Sequence, residues 1–327
     1  MQKRFAIQLI AACTLLTGAM GTFGLAQAQT KLKWAHVYET SEPYHKWSVW
    51  AGEEIKKRTN GRYEIQVFPA STLGKESDIN NGLTLGTVDI ILSGASFAGN
   101  SYKPLAISYF PFIFRDSEHQ LKYAKSDVFR ELAKGYDDKT GNHITALTYY
   151  GARHVTSNRP IVKPEDMKGL KIRVPDAPAY LAFPKALGAN PTPIAFAEVY
   201  LALQNGTVEA QENPLPTIQA KKFYEVQKNI SLTGHIIDSL LTIVSGQLWG
   251  KLSDADKKIF TEVMQEAAEK ASRDIIASEA RLVEEFKKTN NVIVVDKNAF
   301  REAVLKNTKP TDHGYRQADY DRIINIK

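Results

Sequence analysis

Apolar residues recur along the chain at two spacings, and the switches between them outline the fold. "KLKWAHV" (31–37) alternates as a half-buried strand does. "WSVWAGEEIKKRTNG" (47–61) continues at helical spacing, with basic residues in its last turn and an Asn-Gly stop. "RYEIQVFP" (62–69) predicts a second strand, residues 77–85 a second helix, and "TVDIILSG" (87–94) a third, nearly all-apolar strand. A helix is expected near 119–135 and another strand at "HITALTYYG" (143–151). This alternation predicts an α/β lobe around a largely parallel sheet.

A second α/β set follows. "LKIRV" (170–174) reads as a strand, 177–187 and 196–206 as helices, and "TVEAQEN" (207–213) as a returning strand. "ENPLPT" (212–217) then sets two prolines just past a strand end, a stiff connection and the expected hinge. The longest element comes late. Ser253 is a good N-cap with Asp254 and Asp256 in the first turn. Ile259, Val263, Ala267, Ala271 and Ile275 repeat every fourth residue, and Leu282 and Phe286 extend the stripe. One helix to about residue 288, or two if it breaks midway, would brace two lobes.

Within "LKIRV", Leu170, Ile172 and Val174 form one buried face and Arg173 stands on the other. Most arginines are solvated, so the strand alone leaves two readings open. Arg173 is a surface residue, or it points into a cavity to meet an anion.

The first residues lie outside this pattern. Lys3 and Arg4 precede an uncharged apolar run from Phe5 to Leu25, and Ala26-Gln27-Ala28 has the form of a signal-peptidase site. Residues 1–28 are therefore expected to be a cleaved leader, and export to a bacterial periplasm follows. An uncleaved anchor, or lipidation at Cys13, fits less well. The run is interrupted by Gly and Thr, and too few apolar residues precede the cysteine. Cys13 is the only cysteine, so an exported chain starting at Gln29 has no disulfide and depends on its core. Roughly 300 residues suffice for two lobes.

Charge narrows the partners. The 327 residues carry 42 basic and 36 acidic side chains, and loss of Lys3 and Arg4 leaves 40 against 36. The two signs are interspersed, so nucleic acid is not an expected partner. A small anion is compatible. None of the seven histidines belongs to an H-E-x-x-H pair, and nucleophile-elbow, Walker A and dinucleotide-binding motifs are absent. No catalytic residue, metal or cofactor is assigned. A scattered pair of carboxylates leaves an enzyme acting on acid sugars as the rival class.

Three stretches carry a resemblance: "RHVTSNRPI" (153–161), "DMKGLKIRVPDAPAY" (166–180) and "NPTPIAFAEVYLALQNGTVEAQENP" (190–214). Together with "FPASTLGKESD" (68–78) they resemble the DctP-type solute-binding proteins of tripartite ATP-independent periplasmic (TRAP) transporters. The likeness spans the chain from the first strand to the long helix. It implies a two-lobed α/β periplasmic binding protein with an interlobe cleft and a long helix across both lobes. The expected division is residues 29–150 with about 238–275 in lobe I, 151–237 with about 276–310 in lobe II, and a C-terminal tail at 311–327. The resemblance also implies a monomeric carrier rather than an enzyme. Its partner would be an ion-driven permease of small and large membrane subunits.

The same resemblance assigns roles. The arginine of its R-V-P motif clamps the ligand carboxylate, and here that residue is Arg173; a planar guanidinium suits two carboxylate oxygens and stays charged. Asn213 and Arg153 match an asparagine and a second arginine at the ligand, and Phe196 an aromatic of the cleft. Tyr150 and His154 neighbour Arg153. The stretch 190–227 is close to the sialic-acid-binding member, but Val37 and Gly94 stand where that member has an asparagine and a glutamate. The loop "AHVYETSEPYH" (35–45) instead offers His36 and Glu39, and the next loop offers Glu76, as partners for ligand hydroxyls. A sugar acid is expected, with D-glucuronate or D-galacturonate first. Sialic acid, aldonates, dicarboxylates and aromatic acids follow.

Overall fold

The computed structural model describes residues 29–327; the expected leader lies outside the described residues. Ten strands occur there. They are β1 (Thr30–Ala35), β2 (Tyr63–Phe68), β3 (Ile90–Gly94), β4 (His143–Ser157), β5 (Lys171–Val174), β6 (Asn190–Pro193), β7 (Ala210–Pro214), β8 (Asn229–Ser231), β9 (Ile237–Val244) and β10 (Asn291–Ile293). Their path runs β2-β1-β3-β9-β4-β7-β5-β6, with β8 also on β4 and β10 on β8.

The outer strands are parallel, as the alternation predicts: β1 with β2 and β3, and β5 with β6 and β7. The middle is not. β9 runs antiparallel between β3 and β4, and β4 antiparallel to β7, so the sheet is mixed rather than largely parallel. The eight residues of β9 are all buried, and Asp238, Ser239 and Thr242 break the apolar positions so that no strand alternation shows. That is why the pattern missed it.

β4 joins two halves. Residues 143–152 pair with β9, and 153–157 pair with β7 and β8. A bulge lies at Tyr149/Gly151, and Gly151 has φ +125°, which only glycine adopts readily. A Cβ there would sit 2.7 Å from Pro214 Cβ, in the "ENPLPT" stretch. That stretch is a strand-to-helix junction: Pro214 ends β7, and Pro216 lies in the first turn of the helix Leu215–Ala220.

The late helix runs unbroken as Asp254–Phe286, with Ser253 accepting from Asp256 N. Its first half packs Phe260 and Val263 with Leu32, Trp34 and Ile55. Its far end buries Leu282 and Phe286 with Val199 and Phe223. It therefore braces both halves. Glu279 on this helix accepts from Ala152 N at 2.8 Å and from Tyr149 Oη, tying the helix to the β4 junction. The expected helix at 119–135 is two, Ser117–Ala124 and Asp127–Thr140, because Ser126 caps the second. The 177–187 stretch is a 3₁₀ turn and a short helix, Ala182–Ala186, around Pro178 and Pro184. The C-terminal residues end in the helix Gln317–Ile324, which buries Ile323 in the core of the first half.

Candidate functional site

A narrow cavity lies between the halves. The first half supplies Val37, Tyr38, Lys75, Glu76, Ser77 and Phe97, and the second Arg173, Pro175, Asp176, Tyr180, Ala195 and Phe196. Tyr150, Arg153 and Asn213, from the β4 and β7 strands, complete it. A wider groove of about 1160 Å³ elsewhere is bordered by exposed lysines 103, 168 and 185, whereas this smaller cavity meets two buried guanidiniums. Buried charge decides between them.

Arg173 is 1% exposed. Both faces of β5 are buried at that point, one by core and the other by the cavity. Nε and Nη2 donate to Ile194 O at 2.9 and 2.7 Å, and Nη1 has no partner among the described residues. Burial, with repulsion from Arg153, lowers its pKa to about 10, against the pull of Glu212. It is still charged at neutral pH. A buried cation with a free donor favours an anion beside it.

Arg153 is differently placed. Its guanidinium spans the Glu212 carboxylate, with Nη2–Oε1 at 2.8 Å, and Nη1 meets Asp238 at 2.7 Å. Nη2 also reaches Asn213 Oδ1 at 3.2 Å, and His235 Nε2 lies 3.2 Å from Glu212. Burial pushes Asp238 up to about 6 against the attraction of Arg153. Arg153 is thus held by two carboxylates in the cavity wall, where it also contacts Asn213. Asn213 gives one N–H to Gln211 at 2.6 Å and keeps its second hydrogen for another acceptor.

Glu76 opens the helix Glu76–Leu85, and its Oε1 accepts from Gly94 N at 2.8 Å and Ser93 Oγ at 2.9 Å. Burial raises its pKa to about 7, those two bonds and Arg173 opposing. The turn that delivers it is strained: Ala70 and Ser71 have φ of 51° and 60°, and their N–H groups bond to Tyr38 O and His36 O. Phe196 and Tyr150 line the cavity, and the Phe196 ring centre is 6.0 Å from the Arg173 guanidinium carbon.

Three expected residues are not brought to the cavity. His36 is buried behind Tyr38, bonded to Tyr38 N and 3.2 Å from His45, and burial holds its pKa down at about 3. Glu39 pairs with Lys221 at 2.7 Å. His154 accepts from Gly234 N, and burial likewise lowers its pKa to about 3. Their place is taken by Tyr38 and Tyr180, each beside or inside a quoted stretch but reading as ordinary core aromatics. Gly94 is cramped: a Cβ there would lie 2.9 Å from Tyr109 Oη and 3.2 Å from Ser96 Oγ. A longer side chain has no room.

Residues 34–312 match the family described as bacterial extracellular solute-binding protein, family 7 (DctP). The chain belongs to this family of TRAP solute-binding proteins. It is 36% identical over 266 residues to the sialic acid-binding periplasmic protein SiaP of Vibrio cholerae, covering 81% of this chain and 83% of that one. It is 33% identical over 273 residues to the 2,3-diketo-L-gulonate-binding periplasmic protein YiaO of Escherichia coli, 82% and 83% covered. A TRAP solute-binding protein from Polaromonas bound to D-erythronate matches at TM-score 0.88 and 34% identity, over 91% of this chain and 99% of that one. Another from Roseobacter denitrificans, with bound L-galactonate, matches at 0.84 and 31%, over 90% and 98%. The expected family and two-lobed fold class therefore hold, and DctP family members bind solutes for transport rather than catalyse reactions.

Proposed function

We propose that this protein is exported to the periplasm, binds a polyhydroxylated monocarboxylic acid between its halves and delivers it as a monomer to the two membrane subunits of a TRAP permease. The observation that carries this reading is Arg173, buried and charged beside the cavity, with Nη1 unpartnered among the described residues. With Nε and Nη2 on Ile194 O, the carboxylate takes the Nη1 end and the second Nη2 hydrogen. Glu76, Asn213, Tyr38 and Tyr180 read hydroxyls, and Phe196 packs on the carbon chain. Arg153 positions Asn213.

Of His36, Glu39 and Glu76, the polar residues that would suit a hexuronate, only Glu76 lines the cavity. Relatives solved with D-erythronate and L-galactonate favour open-chain aldonates. We take aldonates as the first class to test and D-glucuronate and D-galacturonate as the second.

A thermal-shift panel of these acids, succinate and N-acetylneuraminate tests the reading, with Arg173→Ala alongside. A ligand at a hundred times its Kd stabilises by about 2.7 kcal/mol. A shift with an aldonate that vanishes in the variant is expected. A shift with succinate alone overturns the hydroxyl-reading site. A ligand consumed rather than returned would identify an enzyme.

A further inference from the structure

Two segments meet across the boundary between the halves. Residues 36–42 follow β1 in the first half, and the helix Leu215–Ala220 follows β7 in the second. Lys221 Nζ lies 2.7 Å from Glu39 Oε1, with the two side chains only 17% and 29% exposed. Four residues earlier, Thr217 Oγ1 donates to Glu42 Oε1 at 2.7 Å. Glu42 is itself buried, and its other oxygen accepts from Glu39 N at 2.7 Å, which fixes the loop that presents Glu39.

Both contacts lead back to the cavity wall. Lys221 Nζ is 5.2 Å from the Phe196 ring centre, and Thr217 Oγ1 is 3.1 Å from Tyr150 Oη. Phe196 and Tyr150 both line the cavity. The next residue, Lys222, has φ +56°, in the left-handed region that non-glycine residues avoid. Such strain persists where surrounding contacts hold it, often at functional segments. Here it turns the chain away directly after Lys221.

We propose that the Glu39–Lys221 ion pair, with the Glu42–Thr217 hydrogen bond beside it, is a latch between the halves that sets how long a captured solute is retained. The proposal rests on reading the protein as a carrier that closes over its ligand. Both contacts join segments on opposite halves, so they form only when the halves meet. Such contacts slow release far more than they speed capture. Partial burial shields the pair from the screening that makes exposed pairs weak.

Two measurements test it on the chain from residue 29. Water-soluble carbodiimide joins an ammonium to a carboxylate as an amide, with loss of one water, only where the two touch. Peptide mass spectrometry is expected to find Glu39 joined to Lys221, with a yield that rises on adding L-galactonate. Stopped-flow release of L-galactonate is expected to accelerate about tenfold in Glu39→Gln and in Lys221→Met, with association changed less than about twofold. The exchanged pair, Glu39→Lys with Lys221→Glu, should recover slow release. Absence of the cross-link, or wild-type release rates in both single variants, overturns the latch. Failure of the wild-type chain to bind L-galactonate counts against the ligand class, and the cross-link then decides the latch alone.

Discussion

Arg173 stands where an arginine is tolerated only with its charge compensated. It is desolvated, repelled by Arg153, and short of one hydrogen-bond partner among the described residues. Truncating one member of a buried charge pair costs about 2–5 kcal/mol, so Arg173→Ala should weaken binding by roughly 30-fold or more by calorimetry. Arg173→Lys should recover little of this, because an ammonium cannot span two oxygens at a fixed angle. Glu76 makes a different prediction. Its pKa is raised in the folded chain to about 7 from an ordinary 4.5. Between those values the native carboxyl keeps a proton the unfolded one has lost, so this group's contribution to stability falls as pH rises through the window. Glu76→Gln should therefore gain on the wild type by about 2 kcal/mol between pH 4.5 and 7 in urea denaturation of ligand-free protein. A difference independent of pH would mean that Glu76 ionises freely.

At the scale of elements, the junction in β4 carries the mechanical argument. Gly151 combines a positive φ, a bulge and close approach to Pro214, while Glu279 accepts from the N–H of the next residue, Ala152. Gly151→Ala should destabilise by about 1–3 kcal/mol, measured by thermal and urea unfolding. A neutral outcome would show that the junction relaxes freely. Most elements were legible because each has its own period or cap: the strand at 31–37, the Ser253-capped helix, the alternation around Arg173. Those missed lack a local signal. β9 is buried on both faces and does not alternate, and the 119–135 helix is interrupted by a cap whose serine looks like any surface serine.

At the scale of the molecule, closure around a ligand should make the protein more compact. Small-angle scattering with and without a saturating aldonate is expected to show a smaller radius of gyration in its presence; an unchanged profile would count against closure. Fold class and the buried arginine proposed to meet the carboxylate could be read from residue order, since strand and helix periods are local and the stretch around Arg173 keeps its chemistry in one piece. Which polar side chains keep free hydrogen bonds at the cavity could not. Arg153 and Glu39 carry the same groups as Arg173 and Glu76, yet they and His154 are spent elsewhere: on Glu212 and Asp238, on Lys221, and on Gly234 N. Those partners lie 59 to 182 residues away along the chain. A side chain's period places it on a face, but only the packing of distant segments decides whether its hydrogen bonds are already taken.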